Sequence, residues 1–185
     1  MKVYRSQQME RIENAAELPR VCGVPILPLA ANSFGDGPCQ ILSVADFKDI
    51  VAESIEYFRL NIMMKNLNRK DLQTPSDSVL IYLTLWIREL LVLASASAEK
   101  KGITFKSEFE QRFTDLAKSE TPKAFSFDTP ASSEKERAKF EKYLMQLRVE
   151  TARRVSEKIL TDSEGTVSVS KWWAQYANVP TPVVI

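Results

Sequence analysis

Val79-Leu-Ile-Tyr-Leu-Thr-Leu-Trp-Ile-Arg-Glu-Leu-Leu-Val-Leu93 is the stretch on which the fold turns. From Val79 to Ala98 only Arg88 and Glu89 carry charge, so a helix here has no polar face to offer water. A helix that is apolar all round lies either in a protein core or across a bilayer. Arginine at a bilayer centre costs about 2.5–3.5 kcal/mol on insertion scales, the acidic neighbour adds to that, and neither flank carries an aromatic belt. Val79–Leu93 is therefore predicted to be a helix buried inside a globule, which needs companion elements to cover it.

The flanking segments supply those companions. Upstream, Asp46 is the expected cap of a helix whose stripe is Phe47, Val51, Ile55, Phe58 and Ile62, widened by Ile50, Tyr57 and Met64. So wide an apolar face implies more than one neighbour, and Met63 and Met64 suit irregular gaps because their thioether chains are unbranched. Asn66 to Pro75 reads as a polar connection, with Ser76 as the next N-cap. Downstream, Gly102 ends the apolar segment. Ser107 with Glu110 has the form of a capping box ahead of Phe109, Phe113, Leu116 and Ala117. Pro122 closes that shorter helix, and Phe125, Phe127 and Pro130 fall in a loop.

A second capping box, Ser133 with Glu136, opens the last long helix, where Phe140, Leu144, Leu147, Thr151, Val155 and Ile159 line one face and charge fills the rest. Glu150 with Arg154 and Arg153 with Glu157 are read as exposed pairs worth about 0.2–0.5 kcal/mol each. Thr161-Asp-Ser-Glu-Gly165 is a polar break, read as a solvated turn because the spacing and terminal glutamate of a calcium loop are missing. Beyond it, Trp172 and Trp173 are adjacent and cannot share a face, so one ring is expected to dock back while its neighbour points elsewhere. At the other end, Pro19, Pro25, Pro28 and Pro38 exclude a long helix between residues 19 and 38. Val24, Ile26, Leu27 and Leu29 instead predict an extended strap pinned by its side chains, either on its own domain or on a neighbour. The expected architecture is all-α: one domain, with a Pro-rich strap over residues 1–45 and a helical body over 46–185.

Composition narrows the functional classes. The chain has 185 residues, 25 basic against 24 acidic side chains and a formal net charge of +1. No global field draws it to nucleic acid or to an anionic membrane. The amino terminus lacks a secretory signal pattern, which predicts a cytosolic location. Cys22 and Cys39 are then expected as free thiols. Histidine is absent, which removes the commonest general base and metal ligand. None of the five glycines builds a phosphate cradle or a nucleophile elbow. Ser97-Ala-Glu-Lys100 matches S-x-x-K without its companion motifs and reads as a helix end. No catalytic residue, metal site or cofactor is expected.

Two blocks carry a family resemblance. Asp49-Ile-Val-Ala-Glu-Ser-Ile-Glu-Tyr-Phe-Arg-Leu-Asn-Ile-Met-Met-Lys-Asn66 with Leu80-Ile-Tyr-Leu-Thr-Leu-Trp-Ile-Arg-Glu89 is one; Tyr143–Leu160 followed by Ser170-Lys-Trp-Trp173 is the other. Together they resemble the 21 kDa subunit family of the actin-related protein 2/3 complex, over most of Asp46 to Trp173. Against that family's pattern, Arg153 stands where an aliphatic residue is commoner and Trp86 where tyrosine is. The resemblance implies a helical array in which Val79–Leu93 is the central helix surrounded by the others, and a non-catalytic scaffold subunit in the cytoplasmic actin cytoskeleton. It implies contact with the other subunits, chiefly actin-related protein 3, and with the mother filament, with ATP belonging to the actin-related subunits. Rival readings are a free-standing helical adaptor and a small carboxylate-based enzyme. Arg59, Lys65, Arg69 and Lys70, expected to gather at the end of the first long helix, are partner-binding candidates, and so are Lys171, Trp172 and Trp173. Helix-dipole compensation is the competing account of the basic four, and solvation and core packing are those of the last three.

Overall fold

The apolar stretch lies inside a 25-residue helix, α3 (Pro75–Glu99), in a computed structural model that describes residues 3–33, 36–64, 66–99, 106–127, 131–163 and 166–184. Val79 to Ile87, Leu90 and Leu91 are all buried. Pro75–Ala96 is long and apolar enough to cross a membrane, but its side chains are covered by α2 (Ile50–Ile62) and α5 (Glu134–Ile159), with the C-terminal segment closing another side. The core-helix expectation holds. Its start differs: Thr74, not Ser76, is the cap, with Pro75 at the first helical position. The Thr74 hydroxyl accepts from the Asp77 N–H at 3.3 Å while Asp77 Oδ2 accepts from the Thr74 N–H at 2.8 Å, a reciprocal box.

Two other caps move for similar reasons. α2 is capped by Asp49, whose carboxylate accepts from the Ala52 N–H at 2.9 Å; Asp46, the expected cap, sits at φ +60° in the chain leading to it. α4 (Lys106–Ser119) begins before Ser107, so Glu110 meets Lys106 at 3.8 Å instead of closing a box. The Ser133 cap of α5 stands, its hydroxyl accepting from the Glu136 N–H at 3.2 Å.

α5 is buried well beyond one stripe. Besides the six expected residues, Tyr143, Gln146, Arg148, Glu150, Ala152 and Ser156 are buried. Arg148 holds three helices together: its guanidinium donates to the Ala117 carbonyl at the end of α4 (2.9 Å) and to the Tyr82 hydroxyl of α3 (2.6 Å). The carbonyl end of a helix is where a buried cation is best tolerated. The Trp86 indole N–H donates to the Arg148 carbonyl at 3.1 Å, so this large ring is fully buried with its one polar atom satisfied. The exposed-pair reading of Glu150 and Arg154 is corrected: the Glu150 side chain is 0% exposed and that of Arg154 12%. Arg154 pairs with Glu150 and also donates to both oxygens of Asp49, at 2.8 and 2.6 Å, and to Ser33 Oγ at 2.7 Å. Arg153 adds bonds to Glu150, Glu157 and the Asn32 carbonyl.

The strap packs on its own body, which settles the choice the sequence leaves open. Leu27 and Leu29 are fully buried, and helix side chains meet backbone donors along it: Glu136 for Cys22, Tyr143 for Leu27, Asp49 for Ala30 and Gln146 for Cys39. Gly37 passes so close to Gln146 that a Cβ would lie 2.1 Å from its Oε1. The extended reading of residues 1–45 is corrected at its start, where α1 (Gln8–Arg11) and a 3-10 turn (Ala15–Glu17) follow an arm at residues 3–7 held by buried side chains. Asn61 brackets the Tyr4 backbone with two hydrogen bonds, Glu53 accepts from the Ser6 hydroxyl and Gln7 N–H, and Asp77 accepts from the Ser6 N–H.

The all-α expectation needs amending, because the fold is mostly helical with four two-stranded sheets among the described residues. β1 (Arg20–Val21) and β2 (Val24–Pro25) form a hairpin, and β3 (Leu29–Ala30) runs parallel to β4 (Ile41–Leu42). β5 (Asn66–Leu67) runs parallel to β8 (Val183–Val184), and β6 (Leu160–Ser163) pairs antiparallel with β7 (Thr166–Val169). Segments whose prolines or turns bar a helix still need partners for their buried backbone groups, and they find them in each other. The polar break after α5 is thus part of a hairpin; Glu164 and Gly165 lie outside the described residues. Cys22 and Cys39 are free and buried, as expected.

Replacing Arg154 by Met leaves the buried Asp49 carboxylate without its cation and takes from Glu150 one of its two arginines, and is expected to cost about 3–5 kcal/mol in denaturant unfolding. Lys48→Met, at the exposed pair with Glu56, should cost less than about 1 kcal/mol. Burial pushes the Cys39 thiol from its ordinary 9.0 up to about 12, with Asp49 adding to the shift. Because the folded value lies above the unfolded one, this contribution is whole below pH 9.0 and is lost as pH rises toward 12. Alkaline titration of stability should show that decline, and Cys39→Ala should flatten it.

Candidate functional site

α2 ends in Arg59, Leu60 and Met63, and the segment after the β6–β7 hairpin lies against it. Helix α6 (Lys171–Ala174) leads into a 3-10 turn (Gln175–Asn178), and the chain then reaches Val179, Pro180 and β8. Two connected depressions run between these walls. One, of about 440 Å³, is lined by Arg59, Leu60, Met63, Gln175, Tyr176 and Val179. The other, of about 580 Å³, continues from Met63 along Val179 and Pro180 to Val183. The walls are fixed from behind, because Arg88 of α3 donates to the Val179 carbonyl at 2.9 Å and β8 is paired to β5.

The tryptophan pair divides as expected. Trp173 is half-buried, with its ring 5.8 Å from Phe58 of α2. Trp172 remains 46% exposed and rests edge-on against Trp173 (4.7 Å) and Tyr176 (5.5 Å). Tyr176 packs edge-on against Phe58 at 5.6 Å, so the aromatic group joins the groove to the core. Lys171 is exposed at the first position of α6.

The basic residues do not form one patch. Arg59 is exposed on the groove rim, and Lys65 lies outside the described residues. Arg69 sits on a 3-10 turn (Arg69–Asp71) with its guanidinium 5.0 Å from the Phe125 ring and 2.8 Å from the Ser126 carbonyl, which makes it an internal clamp on the aromatic loop. It borders a different cavity, of about 500 Å³, with Cys22, Val24, Gln73 and Phe127. Lys70 is exposed on the same turn, where the Asn68 side chain accepts from its backbone N–H at 2.9 Å. The structure therefore brings Arg59, Trp172 and Trp173 to one region and sets Arg69 and Lys70 apart.

The reading of Met63 as a gap filler beside Met64 is corrected, and Val183 is not singled out in the sequence at all. Met63 is 55% exposed and Val183 57%, whereas Met64 is buried. The signal was present in the Met63-Met64 pair: neighbours on a helix end point about 100° apart, so both cannot fill the same gap. Val183 gives no such signal, because its exposure depends on the pairing of β8 with β5.

The acidic groups serve the fold. Asp49, Glu53, Asp77 and Glu150 are fully buried, and each accepts hydrogen bonds from the strap, the arm or an arginine. Glu89 has its carboxyl raised by burial, against the Lys123 N–H that accompanies it at 3.2 Å. Among the described residues no group of three or more Cys, Asp or Glu side chains is placed to hold a metal ion. The S-x-x-K pattern ends at Lys100, outside the described residues.

Residues 1–179 match the family described as P21-Arc, the ARP2/3 complex ARPC3 (21 kDa) subunit. Actin-related protein 2/3 complex subunit 3 of Arabidopsis thaliana is 32% identical over 161 residues, covering 85% of this chain and 86% of the relative. The subunit of the same name from Dictyostelium discoideum is 29% identical over 175 residues, covering 92% of each. With the match running from the arm through the paired helices to the groove wall, the chain belongs to the 21 kDa subunit family of the actin-related protein 2/3 complex.

Proposed function

We propose that this chain is a non-catalytic structural subunit of an actin-related protein 2/3 complex, working in the cytoplasmic actin cytoskeleton. It holds the actin-related subunits, chiefly actin-related protein 3, in register and meets the mother filament at the branch. The observation that carries this reading is a division of labour in the side chains. The buried carboxylates Asp49, Glu53, Asp77 and Glu150 are engaged in fastening the strap, the arm and the helices, while Met63, Trp172 and Val183 stand exposed around one groove. A body so fastened presents its surfaces in a constant relative geometry.

Constant geometry is itself a physical contribution to nucleation. Free actin monomers lose translational and rotational freedom when they form a nucleus, and a scaffold that orders the first subunits beforehand removes part of that cost. Arg59, Lys65, Lys70, Lys171 and Trp172 are the side chains assigned to partner contact, with Arg69 and Trp173 supporting them from within. ATP chemistry rests with the actin-related subunits in this scheme, and a net charge of +1 agrees with recognition by local shape.

Affinity purification of the tagged full-length chain from its own cells should bring down actin-related proteins together with the remaining subunits. Complex assembled without it should form fewer branches in a filament assay, with activity restored on adding the purified chain. A chain that purifies alone, or a complex indifferent to its omission, overturns the proposal.

A further inference from the structure

We infer that the groove between the last turn of α2 and the C-terminal segment receives one apolar segment bearing a carboxylate from another subunit of the complex, with that carboxylate set against Arg59. This rests on the functional reading above and specifies where and by what chemistry the docking occurs. Large exposed apolar side chains among the described residues are Tyr4, Ile41, Val44, Met63, Val92, Trp172 and Val183. Met63 and Val183 line this groove, and Trp172 flanks it through its contact with Tyr176. Methionine adapts to an incoming shape, and tryptophan is the residue most enriched among energetic anchors of interfaces. The Arg88 bond to Val179 and the β5–β8 pairing hold the walls in place before anything binds, so little ordering cost remains for the encounter.

Charge selects the occupant. Among the described residues, Arg59 is the one charged residue lining either half of the groove, and no carboxylate lines it. A partner that covers the apolar floor must also meet a guanidinium at the rim, which a carboxylate does with paired hydrogen bonds and a lysine opposes. A second copy of this chain fits poorly, since in a two-fold contact of this face with itself each Arg59 meets a lining that holds no carboxylate among the described residues.

The test uses complex assembled without this subunit and the purified full-length chain, with binding measured by titration. Wild-type chain should bind; Met63→Glu and Arg59→Glu should each weaken binding roughly thirtyfold, the scale of losing an interface anchor. Val44→Glu, at an exposed apolar position outside the groove, should bind as wild type, and thermal melts should show all three variants folded. If Met63→Glu or Arg59→Glu binds like wild type, the inference is overturned while the functional reading stands. If wild-type chain does not bind, the functional reading falls and the inference with it. Sedimentation of the chain alone should give a monomer; a dimer abolished by Met63→Glu would assign the groove to a second copy and overturn the inference.

Discussion

Arg154 is the constraint around which the rest of the molecule is arranged. Its guanidinium lies between Asp49, which starts α2, and Glu150, one turn earlier on α5, and it reaches Ser33 in the strap. Asp49 simultaneously caps its helix and accepts from the Ala30 N–H. Three separate stretches of chain, α5, the start of α2 and the strap, are therefore committed to positions that satisfy one buried cation and two buried anions. Removing such charges from water costs several kcal/mol per ion, so the arrangement is tolerable only with nearly all of its hydrogen bonds made. That requirement fixes where the strap crosses the helices.

Arg148, nearer the start of α5, does comparable work. It places the Ala117 carbonyl near the end of α4, the hydroxyl of Tyr82 and, through its own carbonyl, the indole of Trp86 in one connected set. Burial raises the Tyr82 hydroxyl to about 12 while the guanidinium pulls it down, so the hydroxyl stays neutral and accepts from the cation. Through Arg148 the core helix is held by polar bonds as well as by apolar packing. Rigidity on this scale is what a scaffold must supply, and it puts the groove walls on fixed supports.

The sequence made the helices legible because their periodicity is a local property. Val79–Leu93 announced a core helix by having no polar face, and the stripe of α5 could be read directly from Phe140 to Ile159. It did not disclose Glu150 and Arg154 as buried, since an i, i+4 pair on a charged face looks the same whether water or Asp49 lies beyond it. The caps shifted for the same reason: Asp46 and Asp49 are equally good residues, and the position of Arg154 and the strap decides between them. The short sheets were invisible because strands of two to four residues have little pattern of their own. At the candidate site, Trp172 and Trp173 were visible as a pair with divergent faces, whereas the basic cluster dissolved once Arg69 turned inward onto Phe125. The groove itself depends on the tail returning beside α2, which no local motif encodes.

That return has a mechanical side. The arm is stitched to α2 and α3 by Asn61, Glu53 and Asp77, and the tail is stitched to the chain just after α2 by the β5–β8 pair. Tension applied between the ends of the chain falls first on those few hydrogen bonds, and the helices packed around α3 stay unloaded until they part. The molecule thus carries peripheral yielding points in series with a stiff interior, so a modest pull frays the edges and leaves the interior intact.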